Sequence, residues 1–261
     1  MKLRKALDKA RDERVGEQGE IEIPVESAKP RDGWAAPKYT ESVPYRIDLN
    51  ILEKNRGVSI NPSSREIEQY KILRTRIHQQ AKNRKLNTIM ITSANRQEGK
   101  TVTAINMGFT FAKDLKQTVL LVDCDFAGQD IHSYLGINSK KSLIDYFIDG
   151  TPLNELIIWP GVEKLTLISG DRTVYDSSEL LSSEMMEKLV LEMGERYNDR
   201  YVFFDAPPIL EYSDAISMAP MMDGIIMVVE AGVTSKKDVQ KAVSLLPEEK
   251  FLGFVLNKTE A

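Results

Sequence analysis

The sequence predicts an α/β protein in which helices cover both faces of a mostly parallel, doubly wound sheet. Three observations support this fold class. Short apolar runs alternate with helical patterns from residue 63 onward, which is typical of a parallel sheet with crossover helices. The runs are apolar throughout, as expected of strands buried on both faces. The run at 88–92 leads into a glycine-containing loop and then a helix, which is the start of a strand–helix unit.

The first regular element is a helix from Ser63 to about Gln80. Ser63 or Ser64 can cap it, and Glu66 is placed for a capping box. Its apolar residues lie roughly along one face: Ile67, Tyr70, Leu73 and Ile77. We therefore expect a surface helix with one buried face.

The remaining elements follow from apolar and β-branched runs, helical spacing and capping residues. In order, they are a strand at 88–92, a helix at 102–112, a strand at 117–123, short helices at 143–147 and near 153–158, a strand at 165–169, a long helix from Ser178 to about Tyr197, strands at 201–205 and 225–229, a helix at 233–246 and a strand at 251–257.

The region before residue 63 has a different character. Residues 1–15 have a thin apolar helical stripe, which either docks on a partner or membrane surface or belongs to a solvated helix. Residues 16–62 contain five prolines without sustained periodicity, which predicts a linker or arm. We therefore expect a helix and flexible arm at 1–62, followed by one domain at 63–261.

Composition narrows the class of protein. Of 261 residues, 42% are hydrophobic, which is enough for a sizeable core. The net charge of −4 and the pI near 5.5 do not suggest nucleic acid as the main partner. The single cysteine excludes an internal disulfide and favours a reducing compartment. No apolar run is long enough for a membrane span, and no signal core is evident, so we expect a cytosolic protein that can dock onto a membrane protein.

The loop at 93–101, Ser-Ala-Asn-Arg-Gln-Glu-Gly-Lys-Thr, has the layout of a phosphate-binding P-loop. A helix N-terminus offers unpaired N–H groups and a partial positive charge to an anion. Gly99 allows close approach of the backbone, Lys100 can reach the β- and γ-phosphates, and the Thr101 hydroxyl can bind Mg²⁺. The tripeptide alone is weak evidence, but its strand and helix context strengthens it. The predicted nucleotide contacts are Asn95, Arg96, Gln97, Glu98, Gly99, Lys100, Thr101 and Val102.

Acidic residues end two of the predicted strands. Asp123 and Asp125 are two residues apart, hence on one side of an extended chain. Asp205 follows four apolar or aromatic residues, which is the Walker B pattern of a carboxylate that holds Mg²⁺. One such acid could be a helix cap or turn residue. With Lys100 and Thr101, however, the set predicts one crevice at the carboxyl ends of the strands.

Histidine and cysteine give no second site. His78 and His132 are isolated, without another histidine or cysteine at metal-ligand spacing, so we interpret both as structural or surface residues. Cys124 lies between two acids, which would raise the pKa of its thiol, and we interpret it as a small strand residue.

These motifs in combination resemble the bacterial tyrosine kinases, a branch of the MinD/ParA-like P-loop ATPases. The run 119–125 resembles the Walker A′ motif, and 205–210, Asp-Ala-Pro-Pro-Ile-Leu, resembles the family's Walker B. The segment 178–183 is similar to the family's Ser-Glu-Leu-Leu segment, and 68–74 to its Glu-x-x-Arg-x-x-Arg oligomerisation helix. Matching residues also occur at 213–215, 223–224 and 252–257. The resemblance covers about 63–258.

The resemblance implies a cytosolic ATP- and Mg²⁺-binding domain in exopolysaccharide or capsule assembly. Such domains pair with a membrane chain-length-determinant protein, whose tail activates them at the inner face of the plasma membrane. They assemble through the helix at 63–80, with Glu68, Lys71 and Arg74 at the motif positions, and phosphorylate a C-terminal tyrosine cluster. The implied site roles are phosphate for Lys100, metal for Thr101, Asp123 and Asp205, activation of a tyrosine hydroxyl for Asp125, and adenine for Asn257.

The sequence departs from the family pattern at several points. The 49 residues after Tyr212 (261 − 212) contain no tyrosine. Lys71 replaces an arginine, Phe-Ala-Gly-Gln at 126–129 replaces an arginine- and proline-containing segment, and Ala94 and Gln97 replace loop glycines. Arg96 is an added charge, which we expect to contact nucleotide in its own or a neighbouring subunit.

Three functions remain open. The first is a tyrosine kinase, supported by the lysine, threonine and acid set. The second is a nucleotide-gated regulatory ATPase without kinase activity, favoured by the missing tyrosine cluster. A ParA-like partitioning ATPase is weaker, because its signature lysine would fall at Asn95. Tyr39 and Tyr45 in the arm either accept phosphate or pack against the body or a neighbour.

Overall fold

A computed structural model describes residues 42–60, 66–114, 116–175, 177–196 and 199–259. The predicted helix at 1–15, the capping residues Ser63 and Ser64, and Tyr39 lie outside these ranges.

The centre of the fold is an eight-stranded sheet in the order β1-β4-β5-β3-β6-β2-β7-β8. Every neighbouring pair is parallel except β4 with β5, which confirms the predicted mostly parallel sheet. The strands are β1 (Val43–Pro44), β2 (Thr88–Ser93), β3 (Thr118–Asp123), β4 (Ile158–Trp159), β5 (Leu165–Ile168), β6 (Arg200–Asp205), β7 (Gly224–Glu230) and β8 (Phe251–Asn257).

Helices connect these strands. They are α1 (Leu49–Lys54), α2 (Glu66–Ala81), α3 (Lys100–Ala112), α4 (Ile131–Tyr134), α5 (Leu143–Asp149), α6 (Leu153–Leu156), α7 (Ser178–Leu181), α8 (Glu184–Glu195), α9 (Asp214–Met218) and α10 (Lys236–Ser244). Most follow the predicted elements to within a few residues.

Both faces of the sheet are buried, which explains the continuous apolar runs. In β6, Val202 and Phe204 belong to one hydrophobic cluster, and Tyr201 and Phe203 belong to the other. Helix α8 packs into the first cluster, and helix α3 into the second. Because alternate side chains of a strand point to opposite faces, a strand covered on both sides needs apolar residues at every position. This arrangement confirms the doubly wound fold class.

Two predicted boundaries need correction. The described part of the predicted arm packs into the domain: β1 extends the sheet beside β4, and Leu52 of α1 is buried. Residues 42–60 therefore pack with the domain that we predicted to begin at 63, and the position of the domain boundary stays a prediction. The long helix predicted from Ser178 is two helices, because Ser183 has extended backbone and its side chain accepts a hydrogen bond from the Met186 N–H, which starts α8 afresh.

Within the described residues, every helix is too short or too polar to span a lipid bilayer.

Candidate functional site

The predicted acids lie side by side at the carboxyl edge of the sheet. Strand β6 lies between β3 and β2, and Asp205 is paired in register with Asp123 on one side and with Ile91 on the other. Two residues after Ile91, strand β2 ends at Ser93 and the P-loop begins. The topology therefore brings the loop and both strand-end acids together, as the sequence predicted.

The P-loop presents a row of backbone N–H groups. Gln97 and Gly99 have positive φ values of 63° and 94°, which bend the chain before α3 begins at Lys100. Among the described residues, the N–H groups of residues 97–102 donate no hydrogen bond. Consecutive free N–H groups at a helix N-terminus form an anion-binding cradle, which fits a nucleotide phosphate.

Lys100 lies between the cradle and the acids. Its Nζ is 2.6 Å from Asp125 Oδ2 and 3.7 Å from Asp205 Oδ1, and it is 3.4 Å from the Thr101 hydroxyl. Burial alone would lower the pKa of Lys100, but the negative charges of Asp205 and Asp125 outweigh it and raise that pKa. The lysine is therefore a fixed positive charge at working pH.

Asp123 and Asp205 are buried, and Lys100 is the nearby positive charge. Burial raises the pKa of Asp205 to about 6, although Lys100 opposes the shift. Burial and the charge of Asp205 raise the pKa of Asp123 well above its usual range. Asp123 Oδ1 and both Asp205 oxygens lack a hydrogen-bond donor among the described residues. Buried carboxylate oxygens without a hydrogen-bond donor are suited to a divalent cation.

The donor set fits Mg²⁺ bound together with phosphate. Among the described residues, no three histidine, cysteine or acidic side chains are grouped to hold a metal by themselves. Mg²⁺ is usually held by one or two carboxylates plus water and substrate phosphates. Thr101 and Asp205 can serve as such ligands beside the cradle, with Asp123 as the neighbouring acid.

Ser169 fixes Asp123 and was not predicted. Its hydroxyl donates to Asp123 Oδ2 at 2.9 Å, and the Ile131 N–H donates to the same oxygen at 3.1 Å. The His132 ring nitrogen Nδ1 lies 3.2 Å from the Ser169 hydroxyl. The only sequence signal for Ser169 is its position directly after strand β5.

The isolated histidines pack within the domain, whereas Cys124, which we interpreted as a strand residue, lies one residue past the end of β3. His132 packs against Ser169, and His78 stacks on Phe111 with its Nε2 3.6 Å from Asp114. Cys124 is fully buried, and burial together with the neighbouring acids raises the pKa of its thiol.

Glu98 supports the loop from beneath. It is 3% exposed, and its carboxylate accepts hydrogen bonds from the N–H groups of Ala94 (2.9 Å) and Asn95 (3.1 Å). The hydroxyl of Thr234, which sequence reasoning missed, donates to it at 2.5 Å. The predicted nucleotide contact of Glu98 can therefore come from its backbone, because its side chain is engaged.

Asn257 also contacts the P-loop. Its Nδ2 donates to the Glu98 carbonyl at 2.8 Å, and a Cβ at Gly99 would lie 2.0 Å from that nitrogen. Its predicted contact with adenine stays a prediction.

Arg96 is held by its own chain. Its backbone N–H and its Nε donate to Glu211 at 2.8 Å and 2.7 Å, and its guanidinium lies 5.2 Å from the centre of the Tyr212 ring. The predicted contact with nucleotide stays a prediction. Glu211 follows the Walker B segment, and nothing in the motif indicated its role.

The residues predicted for oligomerisation make contacts within the chain. Lys71 pairs with Glu68 at 2.6 Å, and Arg74 donates to the Thr110 carbonyl in α3 at 2.7 Å. Assembly through α2 stays a prediction. Tyr45 is half-buried and packs against one of the two core clusters.

Comparisons with known proteins identify relatives of this chain. Residues 86–248 match the sequence model of a family described as an AAA domain. The chain is 31% identical over 216 residues to tyrosine-protein kinase YwqD of Bacillus subtilis, covering 79% of this chain and 90% of that protein. It is 32% identical over 196 residues to tyrosine-protein kinase CpsD of Streptococcus pneumoniae, covering 74% and 84%. A 28% match to tyrosine-protein kinase wzc of Salmonella typhi covers 90% of this chain but only 32% of that longer protein.

Solved structures share the fold. The kinase domain of Escherichia coli tyrosine kinase ETK superposes with a TM-score of 0.71 at 23% identity, covering 88% of this chain and 98% of that one. MinD in the Aquifex aeolicus MinC:MinD complex gives a TM-score of 0.51 at 25% identity, covering 61% and 62%. The cradle, the buried acids and these relatives lead to one conclusion: the chain belongs to the bacterial tyrosine-kinase family of P-loop ATPases.

Proposed function

We propose that this chain binds ATP with Mg²⁺ and transfers the γ-phosphoryl group to tyrosine. The observation that carries the proposal is the row of free N–H groups at 97–102 beside Lys100 and three acids. Phosphoryl transfer rests mainly on positioning and charge stabilisation, and this arrangement supplies both.

Each residue has a distinct part in the proposed reaction. When bound, ATP would supply the phosphoryl group and Mg²⁺ would supply a divalent positive charge. The cradle holds the phosphates, and Lys100 offsets negative charge on the group in transfer. Thr101 and Asp205 hold the metal, while Asp123 lies beside Asp205 as a further metal-shell acid. Asp125, whose carboxylate now pairs with Lys100 at 2.6 Å, accepts the proton of the tyrosine hydroxyl.

The cellular setting follows from the family resemblance. The proposed process is exopolysaccharide or capsule assembly, with a chain-length-determinant protein as the membrane partner. The chain would act in the cytoplasm at the inner face of the plasma membrane, held there by that partner. The proposed self-association uses α2.

A second candidate is a regulatory ATPase of the same machinery that binds ATP without phosphorylating tyrosine. The specific observation in its favour is the absence of tyrosine from residues 213–261. The two candidates share the nucleotide site and differ in the fate of the γ-phosphate.

A radiolabelled ATP assay separates them. Wild type and Lys100→Met are incubated with Mg²⁺ and γ-labelled ATP, with Lys188→Met as a matched control, because Lys188 is 71% exposed and distant in sequence from the site. Label on protein in wild type and Lys188→Met, but not in Lys100→Met, supports the kinase. Free phosphate without labelled protein supports the switch. Failure of wild type to bind ATP in a parallel titration would contradict both.

A further inference from the structure

Tyr175 is unlike the other tyrosines that the structure describes. Its side chain is 81% exposed, in the loop 169–175 that follows β5. The other six described tyrosines are half-buried or buried; they are Tyr45, Tyr70, Tyr134, Tyr146, Tyr201 and Tyr212. Because a hydroxyl must be accessible to accept a phosphoryl group, exposure favours Tyr175 among them.

The Tyr175 loop is anchored next to the site. The Val174 N–H donates to the carbonyl of Phe126 at 2.8 Å. Phe126 directly follows Asp125, the acid that pairs with Lys100. Tyr175 directly follows Val174, and adjacent Cα atoms are about 3.8 Å apart. Tyr175 is therefore the neighbour of a residue that is hydrogen-bonded to the segment that carries Asp125.

Further contacts hold the same loop at the carboxyl edge of the sheet. At its start, the Ser169 hydroxyl donates to Asp123, and the Gly170 N–H donates to the Gln129 side chain at 3.2 Å. Arg172 pairs with Asp145 at 2.7 Å. These contacts hold the part of the loop that precedes the exposed tyrosine, at the edge of the sheet that carries the P-loop.

The contacts of other tyrosines make them poorer acceptors. Tyr201 is buried in an aromatic cluster, and burial raises the pKa of Tyr70. The Tyr212 ring is covered on one side by the Arg96 guanidinium. Tyr146 packs edge-on against Phe147 in the core.

We propose that Tyr175 is the tyrosine to which this chain transfers the γ-phosphoryl group of ATP, which rests on the proposed kinase function. The Tyr175 Oη forms a bond to the γ-phosphorus while the bond from that phosphorus to the β–γ bridging oxygen breaks. ADP leaves with the electron pair, and the phenol proton passes to the Asp125 carboxylate. The product is a phosphotyrosine at the rim of the site.

The test maps phosphate on the full chain after incubation with Mg²⁺ and γ-labelled ATP. Tyr175→Phe removes only an exposed hydroxyl, and Tyr45→Phe is the matched control on a tyrosine that is also a rival acceptor. We expect alkali-stable label in the peptide containing Tyr175, loss of that label in Tyr175→Phe, and full label in Tyr45→Phe. ADP affinity, measured in parallel, should be equal in all three proteins.

Two results would overturn the proposal in different ways. Protein label that persists in Tyr175→Phe, or that maps to another tyrosine, rejects Tyr175 while leaving the kinase function intact. Wild type that binds Mg²⁺ and ATP but never acquires label rejects the acceptor together with the kinase, and leaves the regulatory ATPase. Alkali-labile label would assign the phosphate to a serine or a carboxylate and would also reject Tyr175.

Discussion

Replacing Gly99 with alanine should weaken nucleotide binding far more than it lowers the stability of the rest of the domain. Gly99 has a φ of 94°, which L-residues rarely adopt, and an added Cβ would lie 2.0 Å from the Asn257 side-chain nitrogen. A left-handed backbone costs a non-glycine residue about 1–2 kcal/mol. Displacing the Asn257 amide breaks its 2.8 Å hydrogen bond to the Glu98 carbonyl, at about 1 kcal/mol.

The two effects together amount to about 2–3 kcal/mol against the loop conformation that exposes the cradle. If that conformation is the one that binds phosphate, the affinity for Mg²⁺ and ADP should fall roughly 30- to 150-fold. Isothermal titration calorimetry measures the loss. Gly150→Ala is the matched control, since Gly150 also has a positive φ, 68°, but an added Cβ there meets nothing within 4 Å.

Gly150→Ala should therefore lose about 1–2 kcal/mol of stability and keep wild-type affinity. A double variant separates the backbone strain at residue 99 from the steric clash with Asn257. Adding Asn257→Ala to Gly99→Ala removes the amide that the added methyl group would contact, and it should therefore recover part of the nucleotide affinity. An affinity of Gly99→Ala within twofold of wild type, in a folded protein, would refute the reasoning about the cradle.

The remaining predictions concern the acids and the loop. Because the pKa of Asp205 is raised from 3.8 to about 6, the folded state binds this proton more tightly, and its contribution to stability falls by about 3 kcal/mol as pH rises from 4 through 6. Urea unfolding in EDTA should show this slope in wild type, and a flat difference between wild type and Asp205→Asn would contradict it. Glu98→Gln should lower stability by about 1–3 kcal/mol through lost acceptors, measured by the same unfolding, whereas Thr234→Ser should retain its bond to Glu98. Arg96→Ala should cost under about 1 kcal/mol of stability because the pair with Glu211 is exposed, yet lower nucleotide affinity; unchanged affinity and turnover would reject the predicted contact.

The fold was predictable from the sequence wherever a strand or helix contains enough residues to show its apolar pattern. Strands buried on both faces produce short, nearly continuous apolar runs, and these identified all of the central strands. Strands β1 and β4 have two residues each, too few for any periodicity to register. The break between α7 and α8 depends on the backbone of Ser183, whose helical spacing on both sides looked continuous in the sequence.

The site was predictable where function requires one residue type at one spacing. Lys100, Thr101 and Asp205 fall into this class, and the structure brings them together as expected. Supporting residues could not be found in the same way. Ser169 lies 46 positions from Asp123, and Thr234 lies 136 positions from Glu98. Such pairs depend on the strand order of the sheet, which a local motif does not specify.

The departures within the loop now have a physical explanation. A phosphate cradle requires free backbone N–H groups rather than particular side chains. Gln97 adopts a φ of 63°, which explains the preference for glycine at this position and shows that the chain tolerates a strain of about 1–2 kcal/mol there. Ala94 is fully buried in a core cluster, and its N–H is bonded to Glu98 rather than free. Ala94 and Gln97 thus leave the N–H groups at 97–102 free, and the Glu98 carboxylate fixes the start of the loop by accepting from the N–H groups of Ala94 and Asn95.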